Sequence, residues 1–138
     1  MRKLIDLIKE NNKILVPRRS PEERQKNYNV VIQKKIKKYM VDGGKGDLDL
    51  RGTPITSLPN GLNVGGNLYL FNNTKITSLP NDLKVRGSLN LYYTKITSLP
   101  NDLQVGGYLN LNYTPISKKY TEEQIKQMCP GVKGNIYM

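Results

Sequence analysis

The sequence contains no histidine and no tryptophan, and it has one phenylalanine and one cysteine. Without histidine, the chain lacks the usual general base and the commonest metal ligand. A single cysteine cannot form an internal disulfide, so nothing in the sequence requires an oxidising compartment. Because the hydrophobic fraction is only 37% and large aromatic side chains are scarce, we expect a thin, elongated core rather than a thick globular one.

Long apolar runs are also missing. The longest uninterrupted aliphatic stretches, Ile14–Val16 and Val30–Ile32, are three residues each, far short of a membrane span. The opening "MRKLIDLIKENNK" begins with basic residues, but Asp6 and Glu10 interrupt its apolar part. No signal peptide and no membrane partner are therefore predicted, and the cytoplasm is the expected location.

The charge is strongly positive and unevenly distributed along the chain, with a formal net value of +11. Residues 1–45 hold thirteen basic and five acidic side chains, residues 46–117 hold five and four, and residues 118–138 hold four and two. The middle is nearly neutral, and the basic character belongs to the N-terminal segment. We predict one cooperative domain in which a solenoid at 46–117 lies between a basic helical cap at 1–45 and a C-terminal cap at 118–138.

The middle of the chain repeats itself. "TKITSLPNDL" occurs at 74–83 and again at 94–103, and "TPITSLPNGL" stands at 53–62. Each copy follows a Leu-x-Leu pair, and the pairs recur at spacings of 20, 21 and 20 residues because "FNN" at 71–73 is one residue longer than its counterparts. A fixed period of this size predicts a solenoid, here of about four coils. The four pairs are Leu48/Leu50, Leu68/Leu70, Leu89/Leu91 and Leu109/Leu111.

Alternation within each pair predicts a short strand of a parallel sheet, with its leucines pointing inward. Proline follows the leucine of each "SLP" and favours an extended return path. Glycine recurs just before each strand, at 46, 66, 87 and 107, where we expect a tight turn. The remaining predicted core positions are Ile55, Ile76, Ile96, Ile116, Leu58, Leu79, Leu99, Leu62, Leu83 and Leu103.

The flanking segments differ in kind from the repeats. Ser20 and Glu23 form a capping-box pattern with Pro21 at the first helical position, which predicts a helix of about five turns ending near Gly43. Its predicted inner face carries Tyr28, Ile32, Ile36 and Met40. A shorter helix is predicted near residues 2–10, another over "TEEQIKQM" capped by Thr121, and a final strand over "NIYM". Such elements cap the open ends of a solenoid.

The unit Leu-x-Leu-x-x-Thr-x-Ile-x-x-Leu-Pro resembles the leucine-rich repeat, whose core reads Leu-x-x-Leu-x-Leu-x-x-Asn-x-Leu. The short period is similar to that of bacterial effector proteins, and the Thr-x-Ile-Thr-Ser-Leu-Pro variant with Val-Gly-Gly is most similar to small phage and prophage repeat proteins. The resemblance covers residues 46–117. It implies a leucine-rich-repeat-like solenoid in a phage or prophage protein, which would either inhibit a host factor in the host cytoplasm or serve as a virion component. It implies little about function, since such arrays serve many unrelated roles.

The sequence departs from this family pattern at two places. The family's ladder asparagine is replaced by threonine, whose hydroxyl we expect to bond the backbone of a neighbouring coil. The second half of each copy has Val-x-Gly, which favours a strand-like rather than a helical convex side. The predicted ladder threonines are Thr53, Thr74, Thr94 and Thr114.

Residues with catalytic chemistry have simpler structural interpretations here. Cys129 has no local partner that would make it a thiolate, and it is predicted to fill space at a helix C-terminus. Asp47 and Asp49 lie two apart on one strand, but no further ligand joins them. "GGKGD" at 43–47 follows a helix and so meets its negative end, whereas anions bind where a helix begins. No enzymatic activity, metal or cofactor is predicted.

The first candidate surface is the outward face of the strands, where the repeat leaves positions variable. Tyrosine with asparagine and serine is typical of protein recognition, although aromatic residues are also good strand formers. Asn67, Ser88, Asn112 and the rim residue Tyr113 belong to the same face. The predicted partner-binding residues are Asp47, Asp49, Arg51, Tyr69, Phe71, Asn90, Tyr92, Tyr93, Tyr108 and Asn110.

The second candidate surface is the basic N-terminal segment, which would attract phosphates or an acidic protein. The alternative is a cap helix whose outer face is merely solvated by lysines. We therefore expect a non-enzymatic protein-binding module that uses its strand face, and we keep nucleic-acid association through the basic helices as the alternative. The residues of this second surface are Arg18, Arg19, Arg24, Lys26, Lys34, Lys35, Lys37 and Lys38.

Overall fold

Each repeat forms one turn of a parallel β-solenoid in the computed structural model, which describes residues 19–138. The short helix predicted near residues 2–10 and the predicted role of Arg18 lie outside the described residues. The helices are α1 (Pro21–Val41), α2 (Pro115–Lys119) and α3 (Glu122–Met128). The strands are β1 (Leu48–Asp49), β2 (Asn63–Val64), β3 (Leu68–Tyr69), β4 (Lys84–Val85), β5 (Leu89–Asn90), β6 (Gln104–Val105), β7 (Leu109–Asn110) and β8 (Ile136–Tyr137).

Two parallel sheets enclose the core. The front sheet has the order β1-β3-β5-β7-β8, and the back sheet has the order β2-β4-β6. Pairing is in register, so that equivalent positions of successive repeats lie side by side and stack at about 4.8 Å per strand. The predicted solenoid is confirmed, and so is the strand-like character of the Val-x-Gly side. The inward row of the front sheet is Leu48, Leu68, Leu89, Leu109 and Ile136.

The number of full turns is three, slightly fewer than the predicted four coils. The fourth repeat supplies β7 to the front sheet, but helices α2 and α3 then replace its return path. The chain rejoins both sheets afterwards, since Val132 bridges Val105 and β8 pairs with β7. The C-terminal segment therefore imitates one further coil and covers the last leucines, as predicted for a cap.

The predicted leucine and isoleucine positions all lie in the core, most of them fully buried. Val64, Val85 and Val105 line it from the back sheet. One continuous apolar cluster runs from Ile32 in α1 through the repeats to Ile136 in β8. The N-terminal helix, the solenoid and the C-terminal segment thus share a single core.

Helix α1 covers the first coil and is held there by polar contacts as well as apolar packing. The Ser20–Glu23 capping box is present, and the helix ends before Gly43, which adopts φ +95°. Ile32 and Ile36 are buried. The Lys35 ammonium donates to the carbonyl oxygen of Asp49 at 2.8 Å. Other contacts of α1 with the repeats are the amide of Gln25 with the oxygen of Pro54 at 2.8 Å and the amide of Gln33 with the oxygen of Ser57 at 3.4 Å.

One residue of the predicted inner face of α1 is misplaced. Tyr28 is more than half exposed, whereas Met40 is partly buried against the core. Ile32 and Ile36, in the second half of the helix, are buried in the core, whereas the first half contacts the first coil through the side chain of Gln25. The capping box and the Ile-x-x-x-Ile spacing were sufficient to predict the helix, but not how far its inner face is covered.

A polar residue stands three positions after the second leucine of each pair, half-buried in the first repeat and buried in the other three. In three coils it is a threonine that donates its hydroxyl to the carbonyl oxygen of that leucine, at Oγ1–O distances of 2.6 to 2.8 Å. The bond therefore closes the turn within one coil. The prediction that these hydroxyls bond the backbone of a neighbouring coil is wrong. The three threonines are Thr53, Thr94 and Thr114.

In the second coil this position is occupied by Asn73, so the prediction of Thr74 is wrong. The extra residue in "FNN" shifts the ladder by one, leaving Thr74 exposed and Asn73 fully buried. The Asn73 Oδ1 accepts from the N–H groups of Lys75 at 3.0 Å and Ile76 at 3.2 Å. Its Nδ2 has no hydrogen-bond partner among residues 19–138.

Three of the four recurrent glycines reflect close contact between coils. A Cβ added at Gly107 would lie 3.1 Å from the carbonyl carbon of Gly87 and would collide with the Ser88 hydroxyl, and Gly66 and Gly87 face the same obstruction from the preceding coil. Gly46 differs, since it has a positive φ and no atom within 4 Å of an added Cβ. The predicted tight turn therefore explains Gly46 but not the other three glycines.

The ladder position of the second coil can be tested by comparing two adjacent substitutions. Asn73→Ala leaves two buried backbone N–H groups without an acceptor, so we expect a loss of about 2 kcal/mol in unfolding free energy. Thr74→Ala alters only an exposed side chain and should change it by less than about 0.5 kcal/mol. Urea denaturation measures both. Equal effects, or a larger effect at Thr74, would contradict the assignment.

Candidate binding surface

The outward side chains of the front sheet form four rows that run across the coils, and we call this surface the front face. In-register pairing places Asp47, Asn67, Ser88 and Tyr108 in the first row, and Asp49, Tyr69, Asn90, Asn110 and Tyr137 in the second. Arg51, Phe71, Tyr92 and Asn112 follow in the third row, and Gly52, Asn72, Tyr93 and Tyr113 occupy the turn beyond it. The structure thus brings together all ten predicted partner-binding residues on one side.

The first row belongs to the scaffold. The Asp47 carboxylate accepts from the N–H of Asn67 at 2.7 Å, the Asn67 Oδ1 accepts from the N–H of Ser88 at 2.7 Å, and the Ser88 hydroxyl accepts from the N–H of Tyr108 at 3.0 Å. Each side chain therefore fixes the backbone of the next coil. Although the repeat leaves these positions variable, stacking uses the side chains of Asp47, Asn67 and Ser88.

Three residues of the second row are also used by their own coil. The side-chain oxygens of Asp49, Asn90 and Asn110 accept from the backbone N–H two residues further on, at 3.2, 3.0 and 3.0 Å. Such bonds shape the turn that follows each strand. Asp49 also lies 3.0 Å from Arg51, but both side chains are substantially exposed, so the pair contributes little to stability. These side-chain oxygens are thus engaged with the backbone, and that of Asn90 holds the N–H of Tyr92.

The aromatic residues of the front face pack edge to face in pairs. Tyr69 and Phe71 have ring centroids 6.2 Å apart, and Tyr108 and Tyr137 have theirs 5.6 Å apart. The Tyr69 hydroxyl accepts from the Asn67 amide at 3.0 Å, and the Arg51 guanidinium lies 5.7 Å from the centre of the Phe71 ring. Tyr137 was missed from sequence, although "IYM" at 136–138 aligns with the Leu-x-Leu pairs of the repeats.

A third aromatic group is more exposed than the other two, and we call it the tyrosine cluster. Tyr92 and Tyr113 meet edge to face at 5.3 Å, while Tyr93 lies 6.3 Å from Tyr92 and 6.4 Å from Tyr113. The exposed fractions are 37% for Tyr92, 54% for Tyr93 and 69% for Tyr113. Three tyrosines from two adjacent coils therefore present ring edges and hydroxyls to solvent.

Two members of the tyrosine cluster occupy backbone positions that disfavour large side chains. The equivalent turn residue adopts a left-handed conformation in all four repeats: φ is +64° at Gly52, +60° at Asn72, +56° at Tyr93 and +59° at Tyr113. Glycine and asparagine tolerate this region, but a bulky residue there costs on the order of 1 kcal/mol. The first two repeats thus place residues that tolerate the left-handed conformation at this position, whereas the two repeats that build the cluster place tyrosines, which it disfavours.

The basic residues predicted on the N-terminal helix lie at its exposed surface, and one of them also contacts the first coil. Arg19, Arg24, Lys26, Lys34, Lys37 and Lys38 are exposed, and Lys35 is engaged with the Asp49 carbonyl oxygen. Lys26, Lys34 and Lys37 border a shallow depression around Val30. The structure brings no other basic segment to them among the described residues.

Cys129 is the single thiol of the chain, and aspartate and glutamate are its other potential metal ligands. No group of three or more side chains suited to a metal occurs among residues 19–138. Cys129 is the C-cap of α3, is fully buried, and directs its thiol at the Pro100 carbonyl oxygen at 3.4 Å, as expected of a space-filling residue. Burial raises the pKa of the Cys129 thiol, which disfavours the nucleophilic thiolate.

Comparisons with protein-family models, with curated proteins and with solved structures find no match to this chain. Within residues 19–138, no helix combines the length and the apolar character that a membrane span needs. The geometry of the front face is thus the principal guide to its function.

Strain at the left-handed turn predicts an unusual response to substitution. Tyr93→Asn should relieve about 1 kcal/mol of backbone strain and lose a similar amount of ring packing, leaving the unfolding free energy unchanged or slightly higher. Tyr92→Asn, in the neighbouring extended position, loses ring packing with no strain to relieve and should destabilise. Urea denaturation of the two variants decides the point. An equal loss in both would show that the left-handed tyrosine carries no strain.

Burial of Cys129 predicts slow thiol chemistry and an alkaline loss of stability. Since the folded pKa is raised above the unfolded value, this thiol favours the folded state below the unfolded pKa, and that contribution is lost as the pH rises through the folded pKa. A thiol reagent at mildly alkaline pH should label the protein only after urea unfolding. Rapid labelling of the native protein, with Cys129→Ala as the blank, would show an accessible thiolate instead.

Proposed function

We propose that this chain is a non-enzymatic protein-binding module whose front face docks a partner protein around the tyrosine cluster. The observation that carries the proposal is the placement of Tyr93 and Tyr113 at left-handed turn positions. Neither residue fills the core, since both are more than half exposed. Strained residues that packing does not require are typical of functional surfaces.

The composition and geometry of the front face support a protein partner. Tyrosine provides a large, rigid contact area with one polar end, and it dominates the energetic centres of protein interfaces. Here the rings of Tyr92 and Tyr113 are held edge to face, so little side-chain freedom is lost on binding. Asn90 and Asn110 hold the adjacent turns through backbone bonds. The site is largely organised before the partner arrives.

Charged residues are confined to one end of the front face. Asp47, Asp49 and Arg51 belong to the first coil, while the tyrosine cluster belongs to the third and fourth repeats. Exposed charges at the rim of an interface affect association rate and salt dependence more than affinity. The tyrosine cluster is therefore the proposed centre of binding, and the Arg51 end is its edge.

The proposed biological setting rests on the resemblance of the repeat to leucine-rich repeats of the phage and prophage type. In that setting the protein would act on a host factor in the host cytoplasm, without a cofactor. Nucleic-acid association through the basic residues of α1 remains the alternative prediction. Lys26, Lys34 and Lys37, which border one shallow depression, would carry this association, whereas Lys35 contacts the first coil.

The proposal is tested by affinity capture from host lysate with a triple variant, Tyr92→Ala, Tyr93→Asn and Tyr113→Asn. Loss of aromatic anchors at an interface commonly costs 2 kcal/mol or more, roughly thirtyfold in affinity. Proteins enriched by the native chain should therefore disappear from the capture, while the melting temperature stays within a few degrees. The control, Lys34→Gln with Lys37→Gln, alters exposed residues of α1 and should capture the same proteins.

Nuclease treatment of the lysate separates the two hypotheses. Enrichment that survives nuclease and depends on the tyrosines supports the front face. Unchanged capture by the triple variant would reject the front face as the site. Enrichment that vanishes with nuclease and with the Lys34/Lys37 variant would favour nucleic-acid association through α1 instead.

A further inference from the structure

A basic groove lies along the outer side of the back sheet, across the core from the front face. Its volume is about 1260 Å³, and it extends from the loop after α1 to the C-terminal segment. Four cationic side chains line it, and all are exposed. They are Lys45, Lys84, Arg86 and Lys133.

The cations of the groove follow the register of the coils. Extending the pairing of β2, β4 and β6 places Lys45, Gly65, Arg86, Gly106 and Lys133 in one outward row, so that a cation stands on every second strand. At about 4.8 Å per strand, these cations recur at about 10 Å over a row about 19 Å long. Lys84 stands beside Arg86 in the adjacent row, flanked by the amides of Asn63 and Gln104.

The intervening glycines keep the floor of the groove open. A Cβ at Gly65 would lie 3.3 Å from the Lys45 Cα and would meet the Gly44 carbonyl oxygen, and one at Gly106 would collide with the Arg86 carbonyl oxygen. Crowding between coils therefore excludes side chains from alternate positions. A consequence is that a ligand reaches the flat strand backbone between the cations.

Negative charge is absent from this groove as far as the described residues show. No carboxylate of residues 19–138 lines it. Ion pairs among these residues join Arg51 to Asp49 and Lys126 to Glu122, so none of the four groove cations is neutralised by a described side chain. Four unneutralised cations around one concave surface concentrate a positive potential there.

We propose that this groove binds the phosphate backbone of a nucleic-acid duplex without reading its sequence. Duplex DNA carries about one charge per 1.7 Å of axis, or about eleven along 19 Å. An extended acidic peptide presents at most one charge per two residues on one side, or about three along the same length. The dense charge of a duplex lets all four flexible cations find a phosphate without an exact spacing.

The other residues of the groove favour the same ligand. Protein interfaces centre on aromatic or aliphatic anchors, and the groove has no aromatic lining and only buried valines. The same lack of aromatic rings disfavours single strands, which bind by stacking bases on such rings. A flat strand surface with one arginine offers no helix to enter a base-bearing groove, so recognition is limited to the backbone. This proposal does not depend on the front face.

The test compares two variants of equal charge on a mixed-sequence DNA duplex two helical turns long. Lys84→Gln, Arg86→Gln and Lys133→Gln remove groove cations, and Lys26→Gln, Lys34→Gln and Lys37→Gln remove helix cations. Each triple variant lowers the net charge from +11 to +8. Fluorescence anisotropy between about 50 and 200 mM salt gives the slope of log affinity against log salt.

We expect the groove variant to lower affinity about tenfold or more at the low-salt end and to reduce the salt slope by about 3, since each lost phosphate contact contributes about 0.9. The helix variant should change the slope by less than about 1. If both variants lost the same affinity, the effect would be one of net charge and the proposal would be overturned. It would also be overturned if the native chain did not bind the duplex. Tighter, groove-dependent binding of oligo-dT or of poly-glutamate would reassign the groove to single strands or to acidic proteins.

A second measurement on the unaltered chain does not depend on how the variants fold. Bound duplex should protect Lys45, Lys84 and Lys133 from acetylation and leave Lys34 and Lys37 reactive, as read by mass spectrometry. Protection of the helix lysines without the groove lysines would place the duplex on α1 and overturn the proposal.

Discussion

The separation between coils is the constraint on which the rest of this structure depends. Parallel strands stack at about 4.8 Å, and a side chain has no room where its Cβ would point along the stack at the backbone of the preceding coil. Glycines 66, 87 and 107 answer this constraint, and the ladder of Asp47, Asn67 and Ser88 converts the same proximity into hydrogen bonds. Stacking is thus fixed by polar contacts at the edge as well as by leucines inside.

That constraint also decides which outward positions are available for other uses. Positions whose side chains bond the next coil or the following turn have little freedom, even though they face solvent. Positions beyond the strand ends have much more, and the four repeats fill them with different residues. The tyrosine cluster of Tyr92, Tyr93 and Tyr113 lies at these positions. On the opposite side of the core, Lys45, Arg86 and Lys133 occupy the positions of the back row where a side chain fits.

Periodicity alone was sufficient to predict the leucine and isoleucine positions of the core, but the buried valines of the back sheet were not predicted. Ile55 and Leu62, like their counterparts in later repeats, are buried because hydrophobic spacing determines which side of a coil faces inward. The sequence could not show that Asn73 rather than Thr74 takes the buried position after the strand, because the extra residue of the second repeat can be inserted before or after that position. Whether the side chain of Asn67 or Ser88 accepts a hydrogen bond from the next coil likewise depends on which backbone N–H of that coil lies above it. The groove was missed for a related reason: Lys45, Arg86 and Lys133 come from a loop, a strand end and the tail, which share no sequence motif.

The C-terminal segment imitates a coil at two rows of the core, Ile136 beside Leu109 and Val132 beside Val105. Those two rows are the same at every level of the stack, since each repeat presents a leucine and a valine there. The C-terminal segment could therefore pair in the same way with any repeat of the stack. The number of repeats can then change in evolution or by engineering. Duplicating residues 89–108 would lengthen the front face and the groove by one coil each, and the C-terminal segment would cover the last coil as before.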